Sequence, residues 1–175
     1  AKFGGDNALY IRPMYWSREG GRVTVDPDPD STAFCLCIEE AAMGAPTGFS
    51  VTTTSFTRPT LASNLTNAKA SCLYPNNARM LNEVHQKGFD NAIVCDALGN
   101  VAETATTNIF MAKNGDVFTP VPNGTFLNGV TRQRVIKLLR DAGTNVYETT
   151  LTLDDFRAAD EIFSTGNYSK VVPII

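Results

Sequence analysis

The run of apolar and aromatic positions at residues 8–16, ALYIRPMYW, interrupted by Arg12, predicts a strand. Residues 17–32, SREGGRVTVDPDPDST, are rich in Gly, Asp and Pro and predict a turn or loop. A second strand is expected over 34–40, FCLCIEE, with Phe34, Leu36 and Ile38 on one face, before the break AAMGAPTG. GFSVTTTSFTR (48–58) reads as a third strand, and PTLASNLTN as a polar loop leading to Lys69. From Pro75 the period lengthens: Ala78, Met80, Leu81 and Val84 make a helical stripe that Gly88 closes. NAIVCD (91–96) is a strand followed by the turn ALGN. NIFMAK (108–113) and DVFTP (116–120) form a hairpin about Asn114-Gly115, the strongest short-range turn signal in the chain. Thr131 to Ala142 is a helix with Val135, Ile136, Leu138 and Leu139 inward and Gly143 as its stop. NVYETTLT as a strand, LDDFRAAD as a short helix and EIFSTG as a final buried strand before a loop complete a mixed α+β pattern without repeats.

Composition narrows the partners. In 175 residues, 43% hydrophobic content is enough for the core of one domain or little more. Fifteen Lys and Arg against 18 Asp and Glu leave a charge of −3, which argues against nucleic acid or an anionic membrane as the main partner. No apolar run approaches the ~20 residues of a membrane helix, and the opening AKFGGDN lacks the apolar core of a signal peptide. The four cysteines Cys35, Cys37, Cys72 and Cys95 include no CxxC pair, and with His85 the single histidine a zinc site is hard to assemble. Reduced thiols in a cytoplasm are the expectation. The chain enters almost directly into the strand-like run 8–16 and stops at KVVPII inside another apolar run, so it reads as a segment of a longer protein.

The common hydrolytic and phosphate-loop motifs GxSxG, GxxxxGK[ST] and GxGxxG are absent. What remains is a trio: Lys69, Glu103, and the loop 127–132, LNGVTR, that opens a helix. Lys69, between Ala68 and Ala70, is either a surface lysine or the desolvated amine that Schiff-base chemistry requires. Glu103, between Val101-Ala102 and Ala105, reads on its own as a strand-end carboxylate facing water. The backbone N–H groups of Val130 and Thr131 sit where a helix N-terminus binds phosphate, unless Thr131 only caps its own helix.

Taken together, YIRP (10–13), NAKASCLY (67–74), GFDNAIVCDALGNVAETATTNIF (88–110), FTP (118–120), LNGVTRQRVIKL (127–138) and DEIFSTG (160–166) resemble the class IV, fold type IV, pyridoxal-phosphate aminotransferases over nearly the whole chain. The likeness is strongest to the branched-chain amino acid aminotransferases. It implies the end of a small domain in residues 1–48 and most of a large cofactor-binding domain in 49–175. It also implies that Lys69 carries pyridoxal 5′-phosphate, that Glu103 faces the pyridine nitrogen, that Tyr74 bonds the phenolic oxygen, and that Val130 and Thr131 hold the phosphate. The segment 164–169 matches the family loop that contacts phosphate and substrate carboxylate; Asn167 stands where threonine is usual, so either its amide or Thr165 is the donor. The family's phosphate-binding arginine from the small domain has no counterpart here. Tyr10 and Arg12 match the groups that take the distal carboxylate of glutamate, a task suited to guanidinium, and Phe56 matches an aromatic of the side-chain pocket. The implied reaction moves an amino group from a branched-chain amino acid to 2-oxoglutarate in a homo-oligomer, a dimer or higher. D-Amino acid aminotransferases and aminodeoxychorismate lyases share the lysine and glutamate but carry their arginine in a different local pattern. A catalytically inert fragment of such an enzyme is a further alternative.

Overall fold

The computed structural model describes residues 3–5, 7–23 and 25–175, and the chain divides into two compact units, residues 1–44 and 45–175. The first is built on two long antiparallel strands, β1 (Leu9–Ser17) and β2 (Thr32–Glu40). The Gly/Asp/Pro-rich connection between them is tied down by hydroxyls: Ser17 and Ser31 share a 2.8 Å hydrogen bond, and each donates to the Asp28 carbonyl. Register places Tyr10 opposite Glu39, Arg12 opposite Cys37 and Met14 opposite Cys35 on one face. Ile11, Tyr15, Phe34, Leu36 and Ile38 lie on the other, where they remain exposed.

The second unit holds two sheets. In one, β3 (Val51–Thr53) runs parallel to β4 (Asn91–Cys95), which pairs antiparallel with β5 (Val101–Thr104). The crossover from β3 to β4 carries α1 (Tyr74–Gln86), whose Met80 and Val84 pack on Ala92, Val94 and Ala105. The other sheet comprises β6 (Asn108–Lys113), β7 (Asp116–Pro120), β8 (Val146–Thr149), β9 (Glu161–Gly166) and β10 (Lys170–Ile174), in the spatial order β10-β9-β6-β7-β8. The helix α2 (Val130–Asp141) joins β7 to the parallel β8 and covers one face of this sheet with Ile136 against Phe110, Val117 and Val146. On the opposite face Ile109 and Met111 meet Ile93 and Val101 of the smaller sheet, and Phe156 of the short helix α3 (Leu153–Arg157) joins them. The two sheets therefore share a core, and the ends of β5, β6 and β9 converge beside the start of α2.

Several expectations change. The predicted strand 48–58 pairs only over 51–53, because beyond it the hydroxyl of Thr54 and the amide and hydroxyl of Ser55 turn to the Glu83 carboxylate of α1. Two strands are added: β5, buried throughout, and β10, which continues the sheet where a loop was expected after EIFSTG. Leu138 does not point inward. It is half exposed and borders an open groove of about 630 Å³ with Val135, Leu139, Ile162 and Val171. The Asn114-Gly115 turn forms as read, with φ of 54° and 85° at its two central residues.

Candidate active site

Lys69 lies in the turn 66–69 that follows the polar loop. The turn is held from below: buried Thr66 donates its hydroxyl to the Gly124 carbonyl at 2.6 Å, fixing the lysine-bearing segment to the loop that precedes α2. Lys69 itself is exposed within its unit, so the enclosed amine considered from its small neighbours is not what this unit alone presents.

Glu103 is the reverse case. It sits in β5 with about 7% of its surface accessible, which overturns the reading as a water-facing strand-end carboxylate. Its Oε1 makes a 2.5 Å ion pair with Arg58 Nη2, and its Oε2 accepts from Asn108 Nδ2 at 3.2 Å. Burial pushes the carboxyl up to about 7, against the opposing pull of the Arg58 and Lys69 charges. That pull also puts the Lys69 ammonium within electrostatic reach of the acid.

Two residues to which sequence reasoning gave no role organise this centre. Arg58, buried just ahead of Pro59, gives Nε to the Thr125 carbonyl and Nη1 to Asn77 Oδ1 at 2.8 Å while holding Glu103. Asn108, the first residue of β6, also donates Nδ2 to the Leu127 carbonyl at 2.9 Å and accepts the Gly129 amide at 3.3 Å. Its amide thus binds the buried acid and the first turn of α2 at once. Gly129 has to be glycine, because a β-carbon there would collide with Asn108 Oδ1. The E-x4-N spacing contained Asn108, and only the folded chain displays its work. Nothing in the local pattern marked Arg58.

Helix α2 begins one residue earlier than expected. Gly129 is the N-cap and no side chain caps the helix, so Thr131 lies inside the first turn and is not the cap. The tip is fixed by Arg132, which is fully buried and donates to Asn128 Oδ1, the Pro120 carbonyl and Glu148 Oε2. Val130 is exposed at that tip. Thr165 in β9 lies opposite Asn108 in the strand register. Among the described residues its buried Oγ1, like Arg132 Nε, has no hydrogen-bonding partner, a costly state that a water or polar ligand would relieve.

The structure thus gathers Lys69, Glu103, Val130, Thr131 and Thr165 around one end of the two sheets. Tyr74 is the first residue of α1, five positions after Lys69, and is half exposed. Phe56 packs against the core under α1, with the Arg79 guanidinium 4.2 Å above its ring. Asn167 is exposed in the turn between β9 and β10, where its carbonyl accepts from Lys170 Nζ. Tyr10 and Arg12 are on β1 of the first unit, where Arg12 pairs with Glu39 at 3.4 Å. Among the described residues no group of three or more His, Cys, Asp and Glu side chains is placed to hold a metal, and no helix is long and apolar enough to cross a membrane.

A buried acid and a fixed lysine beside an uncapped helix tip form the sort of cradle that a phosphorylated ring cofactor occupies. The family model for amino-transferase class IV matches residues 1–175, and the chain belongs to that family. Within it, the chain is 34% identical over 171 residues to a branched-chain-amino-acid aminotransferase of Pseudomonas aeruginosa, covering 95% of this chain and 55% of that protein. An aminotransferase from Brucella abortus, solved bound to the co-factor PLP, is 67% identical and superposes with a TM-score of 0.98 over 99% of this chain and 62% of its own. The branched-chain aminotransferase of the archaeon Thermoproteus uzoniensis, solved with norvaline, is 29% identical with a TM-score of 0.84, covering 95% of this chain and 56% of its own. The chain spans about half the length of the curated relatives it matches. The fold is that of the fold type IV aminotransferases.

Proposed function

We propose that the protein containing this chain is a pyridoxal-phosphate-dependent transaminase that takes the amino group of a branched-chain L-amino acid and passes it to 2-oxoglutarate, yielding a branched 2-oxo acid and glutamate. The observation that carries the reading is the bonded frame from Arg58 through Glu103 and Asn108 to Gly129, which locks a buried carboxylate to an uncapped helix N-terminus. The residues present fit the cofactor: the unpartnered Thr165 hydroxyl and the open amides of Val130 and Thr131 suit a phosphate, and Glu103 suits a protonated ring nitrogen.

Pyridoxal 5′-phosphate, when bound, supplies the electron sink for the carbanion at the substrate Cα. Lys69 anchors it covalently and, once displaced by substrate, its Nζ removes the Cα proton and later returns a proton as the general acid. Glu103, oriented by Arg58 and Asn108, holds the proton on the ring nitrogen, and Tyr74 donates to the phenolic oxygen. The Thr165 hydroxyl and the exposed amide of Asn167 serve the phosphate and substrate carboxylate. Arg12 and Tyr10 receive the distal carboxylate of glutamate, and Phe56 borders the branched side chain. The solved complex of a relative with norvaline supports an aliphatic amino-acid substrate. We place residues 1–48 in the small domain and 49–175 in the large one, and the working enzyme in a reducing cytoplasm as a dimer or larger homo-oligomer. Four unpaired cysteines accord with that compartment.

Borohydride reduction of the full-length, cofactor-loaded enzyme is expected to fix the cofactor on Lys69, and Lys69→Ala to abolish glutamate formation from L-leucine and 2-oxoglutarate. Labelling at another lysine, or turnover retained at full rate by the variant, would overturn the assignment.

A further inference from the structure

Three sulfur atoms meet on one face of the β1–β2 ribbon, and the proposed reaction uses none of them. Cys35 and Cys37, at i and i+2 on β2, point to the same side, and Met14 of β1 lies directly opposite Cys35. The Cys35 and Cys37 sulfurs are 3.9 Å apart, and Cys37 Sγ lies 3.6 Å from Met14 Sδ. Both thiols are free and half-buried. Among the described residues these sulfurs bond with each other, weak partners for S–H and thioether groups. Three ligands set at 120° around one ion, at a metal–sulfur length of roughly 2.3 Å, are about 4 Å apart. The observed spacings therefore already approach those of a trigonal sulfur site.

We propose that Cys35, Cys37 and Met14 bind one soft monovalent d10 cation, of which Cu(I) is the biological example. Ligand chemistry sets the class. Two thiolates and a thioether are soft donors that select Cu(I) over the harder Mg, Ca or Mn ions. Zinc is disfavoured because no carboxylate or imidazole completes a tetrahedron among the described residues. Binding releases the two thiol protons and forms two metal–thiolate bonds and one metal–thioether bond. The metal's oxidation state does not change, so no co-reactant is needed. The two thiolates and the monovalent ion leave one net negative charge, on a face where Arg12 stands opposite Cys37 in register and is paired with Glu39. A pair of cysteines in a strand can also serve as small apolar residues. The added Met14 sulfur, in register and within contact distance, distinguishes this face from a bare pair.

The test is anaerobic titration of the reduced full-length protein with Cu(I) in competition with a chromogenic chelator. Binding of one Cu(I) per chain is expected, with sulfur-only, three-coordinate X-ray absorption. Cys35→Ser or Cys37→Ser should lose that ion, and Met14→Leu should weaken it by about tenfold. Cys72→Ser, which changes a cysteine outside the ribbon, should bind as the parent does. Circular dichroism of each variant separates loss of ligand from loss of fold, and Cys37→Ala is the second variant if Cys37→Ser unfolds. Failure of the folded parent to compete with the chelator, binding by Cys35→Ser and Cys37→Ser as tight as the parent's, or conversion of the pair to a disulfide in place of a copper complex would each overturn the proposal.

Discussion

Glu103 is held between opposing influences: burial favours its neutral form, while Arg58 and Lys69 favour the anion. Burial prevails, and the carboxyl titrates near 7 instead of in the ordinary glutamate range around 4.5. Below both values the acid carries its proton folded or unfolded and costs nothing. As pH rises from about 4.5 to 7 the unfolded chain releases the proton more readily, so this residue's contribution to stability falls across that window, by on the order of 3 kcal/mol when complete. Thermal unfolding of the cofactor-free full-length protein is expected to show Glu103→Gln gaining on the parent as pH climbs through the window and keeping that gain above it. A difference independent of pH would contradict this account. Gly129 is a second residue whose identity is dictated by a neighbour. Gly129→Ala drives a methyl into Asn108 Oδ1 and parts the α2 tip from the Glu103 frame. Cofactor affinity measured by absorbance titration should fall at least tenfold, with overall stability lowered by about 1–3 kcal/mol as for other overpacked sites.

Among the elements, α1 and the end of β3 depend on one carboxylate. Glu83 pairs with Lys87 one turn on, accepts the Thr54 and Ser55 hydroxyls and takes the Ser55 amide, and these bonds hold its carboxyl near 2. A depressed carboxyl stabilises the fold above its unfolded value and loses that contribution as pH falls toward the folded one. Glu83→Gln is therefore expected to unfold at lower temperature than the parent at neutral pH, with the two curves converging as acid approaches pH 2. Parallel curves would dismiss the role. The helices were legible because Met80 and Val84, or Val135, Ile136 and Leu139, repeat at helical spacing. The β6–β7 hairpin was legible because Asn-Gly admits two successive left-handed residues. β5 escaped because Val-Ala-Glu-Thr is too short and too polar to signal burial, and its burial comes from tertiary neighbours. The truncation of β3 was equally hidden, since Glu83 competes for Thr54 and Ser55 from a helix thirty residues away.

For the whole molecule, the class of protein was legible because its motifs are dense and ordered along the chain, and the same motifs singled out Lys69, Glu103 and the α2 tip. Arg58 was not: its partners Asn77, Glu103 and Thr125 are brought to it only by folding. The unpartnered Thr165 hydroxyl likewise exists only as a property of the packed sheets. The bonded frame around Glu103 draws on Arg58, Asn108 and Gly129, with Thr165 opposite Asn108 across the β6–β9 register and Thr66 tied to the loop before α2. Contacts between such distant parts of a chain form late, after the entropy of closing long loops has been overcome. During synthesis, a ribosome that has released everything up to α2 still carries a polypeptide in which Asn108 lacks its neighbour Thr165, because β9 has yet to emerge and lie along β6. Any ligand that needs both the α2 tip and β9 is therefore bound only after the two have come together.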